Sequence, residues 1–400
     1  MKKTIVFLLM ASAVLLSWSA CKKSEGISQL TVDESKAVPV LFGSSLQSSV
    51  STRTRAALDK WSGNEDLYIY GLRRLNGKYV LPEGEDPYAD GDPNAYLIHN
   101  VMAKSPSGNV THGDINVYRI PGEYFYYRET PYYYSFYAYY VDNAHLLASD
   151  TEVTTPQPEE NSNTISLKVD IGDNEAINKK GGTQDIMLAH TNRVADEEKG
   201  TQRVDTSRVY GAYAARRGIK PNLIFKHQLA CFDFILKAGT SLAATSVTVQ
   251  SLKVFSKTSG TLVIASNDTL AHPRGIFPDT PQDSVALTVQ GASGALTLDG
   301  RNFGSILVMP GEDVYVVELK IKQAGYSLNG GVVSQYVKIK FNEIMPSADG
   351  LPTDDKAVGG HKYNVTMKVY GLEPVEIEAT MAPWEDNYGS FNIDPDEWPE

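Results

Sequence analysis

From about residue 66 to residue 381 the chain is a succession of short runs in which apolar and polar residues alternate, separated by Gly, Pro and Asn. A two-residue period puts every second side chain on one face, the pattern of a strand with one buried side. The clearest case is 164–171, where Ile165, Leu167, Val169 and Ile171 alternate with Ser166, Lys168 and Asp170. Asp66 to Leu72 reads the same way, and Asn76-Gly77 supplies a hairpin turn before Lys78-Tyr79-Val80. No long helical period occurs; the best candidate, His227 to Cys231, is one turn. Regularly spaced short strands in a chain of 400 residues predict an all-β protein with two β-sandwiches in tandem. The junction falls within Arg203 to Pro221, where Arg216-Arg217-Gly218 breaks the pattern. In the aromatic run 132–140, Tyr134, Phe136, Ala138 and Tyr140 face one way and Tyr133, Ser135, Tyr137 and Tyr139 the other. One set is expected in the core and the other partly exposed.

Charge and chemistry narrow the function by exclusion. With 37 basic and 48 acidic residues the net charge is −11, which argues against nucleic acid as a partner. Two cysteines support neither a disulfide framework nor a Cys-based zinc site. The seven histidines never stand at metal-ligand spacing; His227, in a Phe-rich strand region, reads as a hydrogen-bonded structural residue. Cys231, between Ala230 and Phe232, reads as an inert buried thiol. Phosphate-loop, dinucleotide and Gly-x-Ser-x-Gly signatures are absent. The acidic cluster Glu83, Glu85, Asp86, Asp90 and Asp92 is interrupted by Tyr88 and lacks the Glu that would close a calcium loop. The expectation is a protein without catalytic residues, metal or cofactor.

The N-terminus reads as an export signal. Lys2-Lys3 precede the apolar run Ile5 to Leu16, and Ser17-Trp18-Ser19-Ala20 places small residues before Cys21. The run falls short of the ~20 apolar residues that span a bilayer. Cysteine directly after the cut resembles the lipobox of bacterial lipoproteins, which implies acylation of Cys21, although Trp18 stands where Leu is usual. Lys22 to Ser35 reads as a polar tether. Val38, Val40 and Phe42 then share one face of a short strand, which Pro39, having no N–H, assigns to a sheet edge. The Ser-rich stretch Ser44 to Ser51 and Thr52-Arg53-Thr54-Arg55-Ala56 follow as an exposed loop, open to an Arg-specific protease at Arg53 or Arg55. Cutting before Ala56 removes seven basic and three acidic residues, leaving 30 against 45, a charge of −15.

Several of these segments together resemble the fimbrillin family of Bacteroidetes, subunits of surface pili made from lipoprotein precursors. The resemblance is carried by Cys21, the strand Val38 to Phe42, Thr54-Arg55-Ala56, Trp61, Tyr68-Ile69-Tyr70-Gly71 and Phe136-Tyr137-Ala138-Tyr139-Tyr140. Asp185-Ile186-Met187-Leu188-Ala189, Phe225-Lys226-His227-Gln228-Leu229-Ala230, Tyr363 to Val369 and Ala382-Pro383-Trp384-Glu385-Asp386 continue it. It implies two transthyretin-like β-sandwich domains behind a lipoprotein signal and propeptide. The expected divisions are a signal peptide at 1–20, a propeptide with a removable strand at 21–55, and sandwiches at 56–215 and 216–400. It also implies lipidation of Cys21, maturation at Arg53 or Arg55, and loss of the strand bearing Val38, Val40 and Phe42. A donor strand from another subunit would then fill the gap; the candidate is Val375, Ile377, Ala379 and Met381, which make one strand face near the C-terminus. The implied partners are other fimbrial subunits, an Arg-specific protease, the outer membrane through the precursor's lipid, and a host or glycan receptor. The implied location is the outer membrane, then the cell-surface fimbrium. The competing expectation is a lipid-anchored glycan-binding protein with an exposed Tyr platform in 118–140.

Overall fold

The structure, a computed structural model, describes residues 36–46, 58–75, 78–79, 96–128, 132–142, 157–159, 164–173, 175, 180–191, 210–267, 273–281, 283–343 and 355–382. Cys21, Arg53, Arg55, Ala56 and the acidic cluster 83–92 therefore lie outside the described residues, as does the first unit of the chain, 1–36, apart from Lys36. Everything below concerns the second compact unit, Ala37–Glu400.

In the N-terminal part the strands are β1 (Phe42–Leu46), β2 (Asp66–Leu75), β3 (Lys78–Tyr79), β4 (Ile98–Lys104), β5 (His112–Ile115), β6 (Tyr118–Ile120), β7 (Glu123–Tyr124), β8 (Tyr133–Val141), β9 (Gln157–Glu159), β10 (Thr164–Asp170) and β11 (Ile186–Thr191). A short helix, α1 (Ala212–Arg216), leads to β12 (Asn222–His227) and β13 (Ala230–Ala238), and a second, α2 (Ser241–Ser246), to β14 (Val247–Ser256). Next come β15 (Ser259–Ser266), β16 (Gly275–Pro278), β17 (Val285–Thr288), β18 (Gly294–Ala295), β19 (Arg301–Val308), β20 (Val314–Gln323), β21 (Val332–Lys340), β22 (Lys362–Val369) and β23 (Glu376–Ala382). The two helices were not foreseen; α2 is capped by Thr240, whose side chain accepts from the Ala243 N–H at 3.1 Å. His227 to Cys231 is not a helical turn. The Gln228 N–H donates to the Ile186 carbonyl, so a sheet hydrogen bond takes the donor that a helix would use.

The strands assemble into layers. An eight-stranded sheet has the order β3-β2-β8-β11-β12-β1-β5, with β4 also pairing β2. A four-stranded sheet, β16-β15-β10-β9, joins strands from both sides of the expected junction: β10 pairs with β15 from Thr164↔Ser266 to Asp170↔Ser259. The C-terminal part adds the sheets β19-β13-β22-β23 and β17-β14-β20-β21, the second with β18 beside β14. Inward side chains of these two sheets, such as Phe232, Val365, Val254 and Leu319, are fully buried in one core. There the Phe232 ring meets the Tyr315 ring edge-on with centroids 5.0 Å apart.

The aromatic strand β8 departs from the expectation of one exposed face: all but its first residue are buried. Phe136, Ala138 and Tyr140 enter a core with Phe42, Trp61, Ile69 and Phe225, while Tyr137 and Tyr139 enter the core shared with β10 and the C-terminal sheets. The eight-stranded sheet is thus a middle layer, with apolar contacts on both sides, and alternation in β8 sorts side chains between two cores. Buried on both faces, a strand needs no polar side. Of the aromatic stretch 118–140, Tyr118 and Tyr126 remain substantially exposed.

Candidate functional site

The segment expected to be removable is built into the eight-stranded sheet. Residues 38–40 run beside 125–127: the Val40 N–H donates to the Phe125 carbonyl at 2.8 Å, and the Tyr127 N–H to the Val38 carbonyl at 3.0 Å. From Phe42 the chain becomes β1, parallel to β12 on one side (Gly43↔Asn222 to Leu46↔Phe225) and antiparallel to β5 on the other (Phe42↔Ile115 to Ser45↔His112). Val40 and Phe42 are 1% exposed and Leu46 is 6% exposed, and Val38 packs half-buried beside them. The Phe42 ring meets Phe136 edge-on at 5.0 Å. Burying Val40, Phe42 and Leu46 at ~1.5–3 kcal/mol each makes this the dominant local attraction.

The edge setting expected for this segment holds only for its first part. From Phe42 to Leu46 the strand has a neighbour on each side. At 38–40 the one partner among the described residues is 125–127, where Pro39 faces Tyr126 as a non-hydrogen-bonded pair flanked by the bonds at Val40 and Val38. At such a position the backbone N points away from the neighbouring strand, so the missing N–H costs no ladder bond. The serines that read as loop also begin inside the strand. Ser44 is 2% exposed and donates through Oγ to the Gly113 carbonyl at 3.0 Å, which satisfies a hydroxyl on an otherwise apolar face.

The candidate donor strand, β23, is the last strand of its sheet and pairs only with β22 among the described residues, from Lys362↔Ala382 to Lys368↔Glu376. Val375, Ile377 and Ala379 pack half-buried against the C-terminal core. Glu376 and Glu378 alternate with them, and Glu376 meets Lys368 at 3.6 Å and accepts from the Tyr370 hydroxyl at 2.9 Å. The Met381 side chain lies outside the described residues.

Behind β1 a buried polar cluster ties three segments together. His227, at the end of β12, has Nδ1 2.8 Å from Asp185 Oδ2, and both side chains are almost fully buried. The same carboxylate oxygen accepts the Leu58 N–H at 2.9 Å, only three residues past Arg55. The other oxygen, Oδ1, is buried without a hydrogen-bond partner. His227 thus has the structural, hydrogen-bonded role read from its sequence setting. Cys231, buried in the next strand, has its thiol pushed up to about 12 chiefly by burial, as suits an unreactive residue. No group of three or more potential metal ligands exists among the described residues.

A second polar cluster escaped sequence reading. Arg274, in the turn before β16, donates from Nη2 to His190 Nε2 at 3.0 Å, and its guanidinium lies 5.9 Å from the centroid of the Tyr137 ring. The His190 and Tyr137 rings are stacked at 6.4 Å. Lys226 on β12 is exposed nearby, one residue from His227. His190 keeps an exposed surface, yet desolvation of the ring beside Tyr137 and Arg274 comes first, and the positive charges of Arg274 and Lys226 second, in pushing its imidazole down to about 4; the neutral ring can accept from Arg274. These residues are separated by 84 positions in the case of His190 and Arg274, and only the fold brings them together.

Both clusters can be tested. Asp185→Ala is expected to destabilise the full chain by about 3 kcal/mol in urea unfolding, because it removes the buried oxygen that His227 and the Leu58 N–H share and leaves both without a partner there; a loss below about 0.5 kcal/mol, the range of a neutral surface change, would contradict the structural role. For His190, the folded value lies below the ordinary 6.5, so the unfolded chain binds the extra proton. Its contribution to stability is full above pH 6.5 and declines as pH falls toward about 4. An NMR titration is expected to show His190 still neutral at pH 5.5, and Arg274→Gln is expected to move its midpoint upward.

A sequence profile of the fimbrillin-like family matches residues 54–384. No curated relative matches the chain. Among solved structures, a Bacteroides uniformis protein assigned to cell adhesion is 15% identical, with a TM-score of 0.45 over 87% of this chain and 98% of its own. A fimbrial protein from Bacteroides vulgatus is 10% identical, with a TM-score of 0.43 over 86% of this chain and 99% of its own. A fimbrilin (FimA) from Porphyromonas gingivalis is 9% identical, with a TM-score of 0.42 over 87% of this chain and 98% of its own. On the profile match, which spans most of its length, the chain belongs to the fimbrillin-like family.

Proposed function

We infer that this protein is a structural subunit of a cell-surface fimbrium, exported as a lipoprotein through Cys21, cut by an Arg-specific protease after Arg53 or Arg55, and polymerised by donor-strand exchange. The observation that carries this reading is the position of 38–46. The segment is a buried strand inside a sheet, yet it is joined to the rest of the molecule only through a stretch that contains both arginines. Once that connection is cut, non-covalent contacts alone retain it.

The physical consequences form a mechanism. Loss of β1 would leave β5 and β12 with unpaired backbone groups facing one another across an apolar slot, a state prone to capture another strand. A strand from a second subunit can restore both ladders by β-augmentation. β23 suits that role because it alternates apolar and acidic residues and sits at the end of its own sheet. Donor and slot are different surfaces, so the contact is head-to-tail and propagates as a filament. The lipid on Cys21 would hold the precursor at the outer membrane until the cut releases it to the cell surface.

Treating purified full-length precursor with trypsin tests the reading. Ladders of oligomers stable to mild detergent, with Thr54 or Ala56 as the new N-terminus, are expected, and an Arg53→Ala, Arg55→Ala double variant is expected to give none. Quantitative trimming to monomers that stay monomeric at high concentration would contradict it. Phe42→Ala is expected to destabilise the uncut precursor by about 3 kcal/mol, as a large-to-small core change does, and to leave the stability of the assembled, trimmed polymer unchanged.

A further inference from the structure

The outer face of one C-terminal sheet carries a charge opposite to that of the whole chain. Strands β14, β17, β20 and β21 hold five lysines and a single acidic residue, Glu318, in a protein of net charge −11. Leu252, Val317, Leu319, Ile321 and Ile339 point into the core, so alternation turns Lys253, Lys320, Lys322, Lys338 and Lys340 to the other side. Along the β20–β21 pair, Lys322 is level with Val332, Lys320 with Ser334, Glu318 with Tyr336, Val316 with Lys338 and Val314 with Lys340. Lys253 stands level with Glu318 on its other side. Two lysine pairs therefore flank a centre made of Lys253, Glu318 and Tyr336, over a length of about 27 Å at ~3.4 Å per residue.

Protection of the sheet edge explains part of this pattern. β21 is the last strand of its sheet, and lysines on an edge strand discourage pairing with other chains. That covers Lys338 and Lys340, whereas β14 and β20 lie inside the sheet. Lys253 is drawn to Glu318, with Nζ 3.8 Å from Oε2. Lys320, Lys322 and Lys338 have no carboxylate partner among the described residues, and like charges on one sheet face repel. Because charges are screened beyond about 8 Å at physiological salt, a ligand on this face meets the lysines before the charge of the whole chain.

The centre of the face narrows the ligand. Glu318 Oε1 accepts from Ser334 Oγ at 2.9 Å and from the Tyr336 hydroxyl at 3.3 Å. Tyr336 is 62% exposed, with its ring 6.5 Å from that of Phe255. A carboxylate only accepts hydrogen bonds, so among the lysines it opposes a dense row of phosphates and suits a ligand that brings hydroxyls with its negative charge. An exposed aromatic ring adds an apolar surface for the carbon face of a sugar. We propose that this sheet face binds an acidic polysaccharide, with its anionic groups on Lys320, Lys322 and Lys338, hydroxyls on Glu318 and a sugar ring against Tyr336. The site stands whether or not the chain polymerises.

Fluorescence anisotropy of labelled oligogalacturonate with the purified full chain at low salt tests it. Saturable binding is expected, and a Lys320→Gln, Lys322→Gln, Lys338→Gln triple variant is expected to weaken it about tenfold, as is raised salt. Tyr336→Ala is expected to weaken it severalfold without changing its salt dependence. A matched triple variant on other surfaces, Lys104→Gln, Lys168→Gln and Lys220→Gln, is expected to bind as the parent does. Melting of every variant in parallel controls for misfolding, and Tyr336→Ala tests the face with all its lysines in place. Absence of binding at low salt, or equal losses in the two triple variants, would overturn the proposal. So would binding of a DNA duplex or of phosphatidylglycerol vesicles to this face as tight as that of the oligosaccharide.

Discussion

A buried strand held between two neighbours by non-covalent contacts is the constraint on which the eight-stranded sheet depends. β1 gives its backbone to β12 on one side and β5 on the other, and its buried face to the core around Phe136. The attraction is large locally, because Val40, Phe42 and Leu46 leave water together. It is also separable, because no part of it is covalent apart from the chain connection that runs through Arg53 and Arg55. On the proposed reading, stability before the cut and assembly after it draw on the same slot.

The proposed reading requires the remainder of the sheet to hold when one strand leaves. β12, which would become an edge, stays joined to β11 and is fixed at its far end by the His227–Asp185 contact. Asp185 also holds the Leu58 N–H, so the chain three residues past Arg55 is anchored to the same point. β8 and β2 place side chains in both cores, so the middle layer is packed on both of its faces. Burial without a compensating partner is costly, which is why removing Asp185 would matter more than removing any exposed pair.

Much of this was legible in the residues. Period-two alternation identifies strands such as β10 and β23 directly, because one buried face forces the pattern. The segment Val38 to Phe42 stood out because an apolar run ahead of a polar, Arg-bearing stretch has no reason to exist unless it packs. Alternation failed where both faces are buried: in β8, Tyr137 and Tyr139 are as hidden as Phe136, so the period reports two cores and not an inside and an outside. Pro39 signals an edge only locally: its nitrogen faces away from its one described partner at 125–127, and three residues further on the strand is flanked on both sides, which no single residue reports. The Arg274–His190 contact was invisible, since residues on β11 and before β16 share no local signal and meet only when β15 pairs with β10.

Hydrogen exchange read at β5 and β12 addresses the slot most directly. In uncut precursor the amides of His112–Ile115 and Asn222–His227 are expected to be protected. In dilute, trimmed monomer from which the 38–46 fragment has been washed they are expected to exchange faster by orders of magnitude, and protection should return in the polymer. Protection in the trimmed monomer equal to that of the precursor, with the fragment gone, would mean that the sheet closes without a visiting strand, and would contradict assembly through the slot.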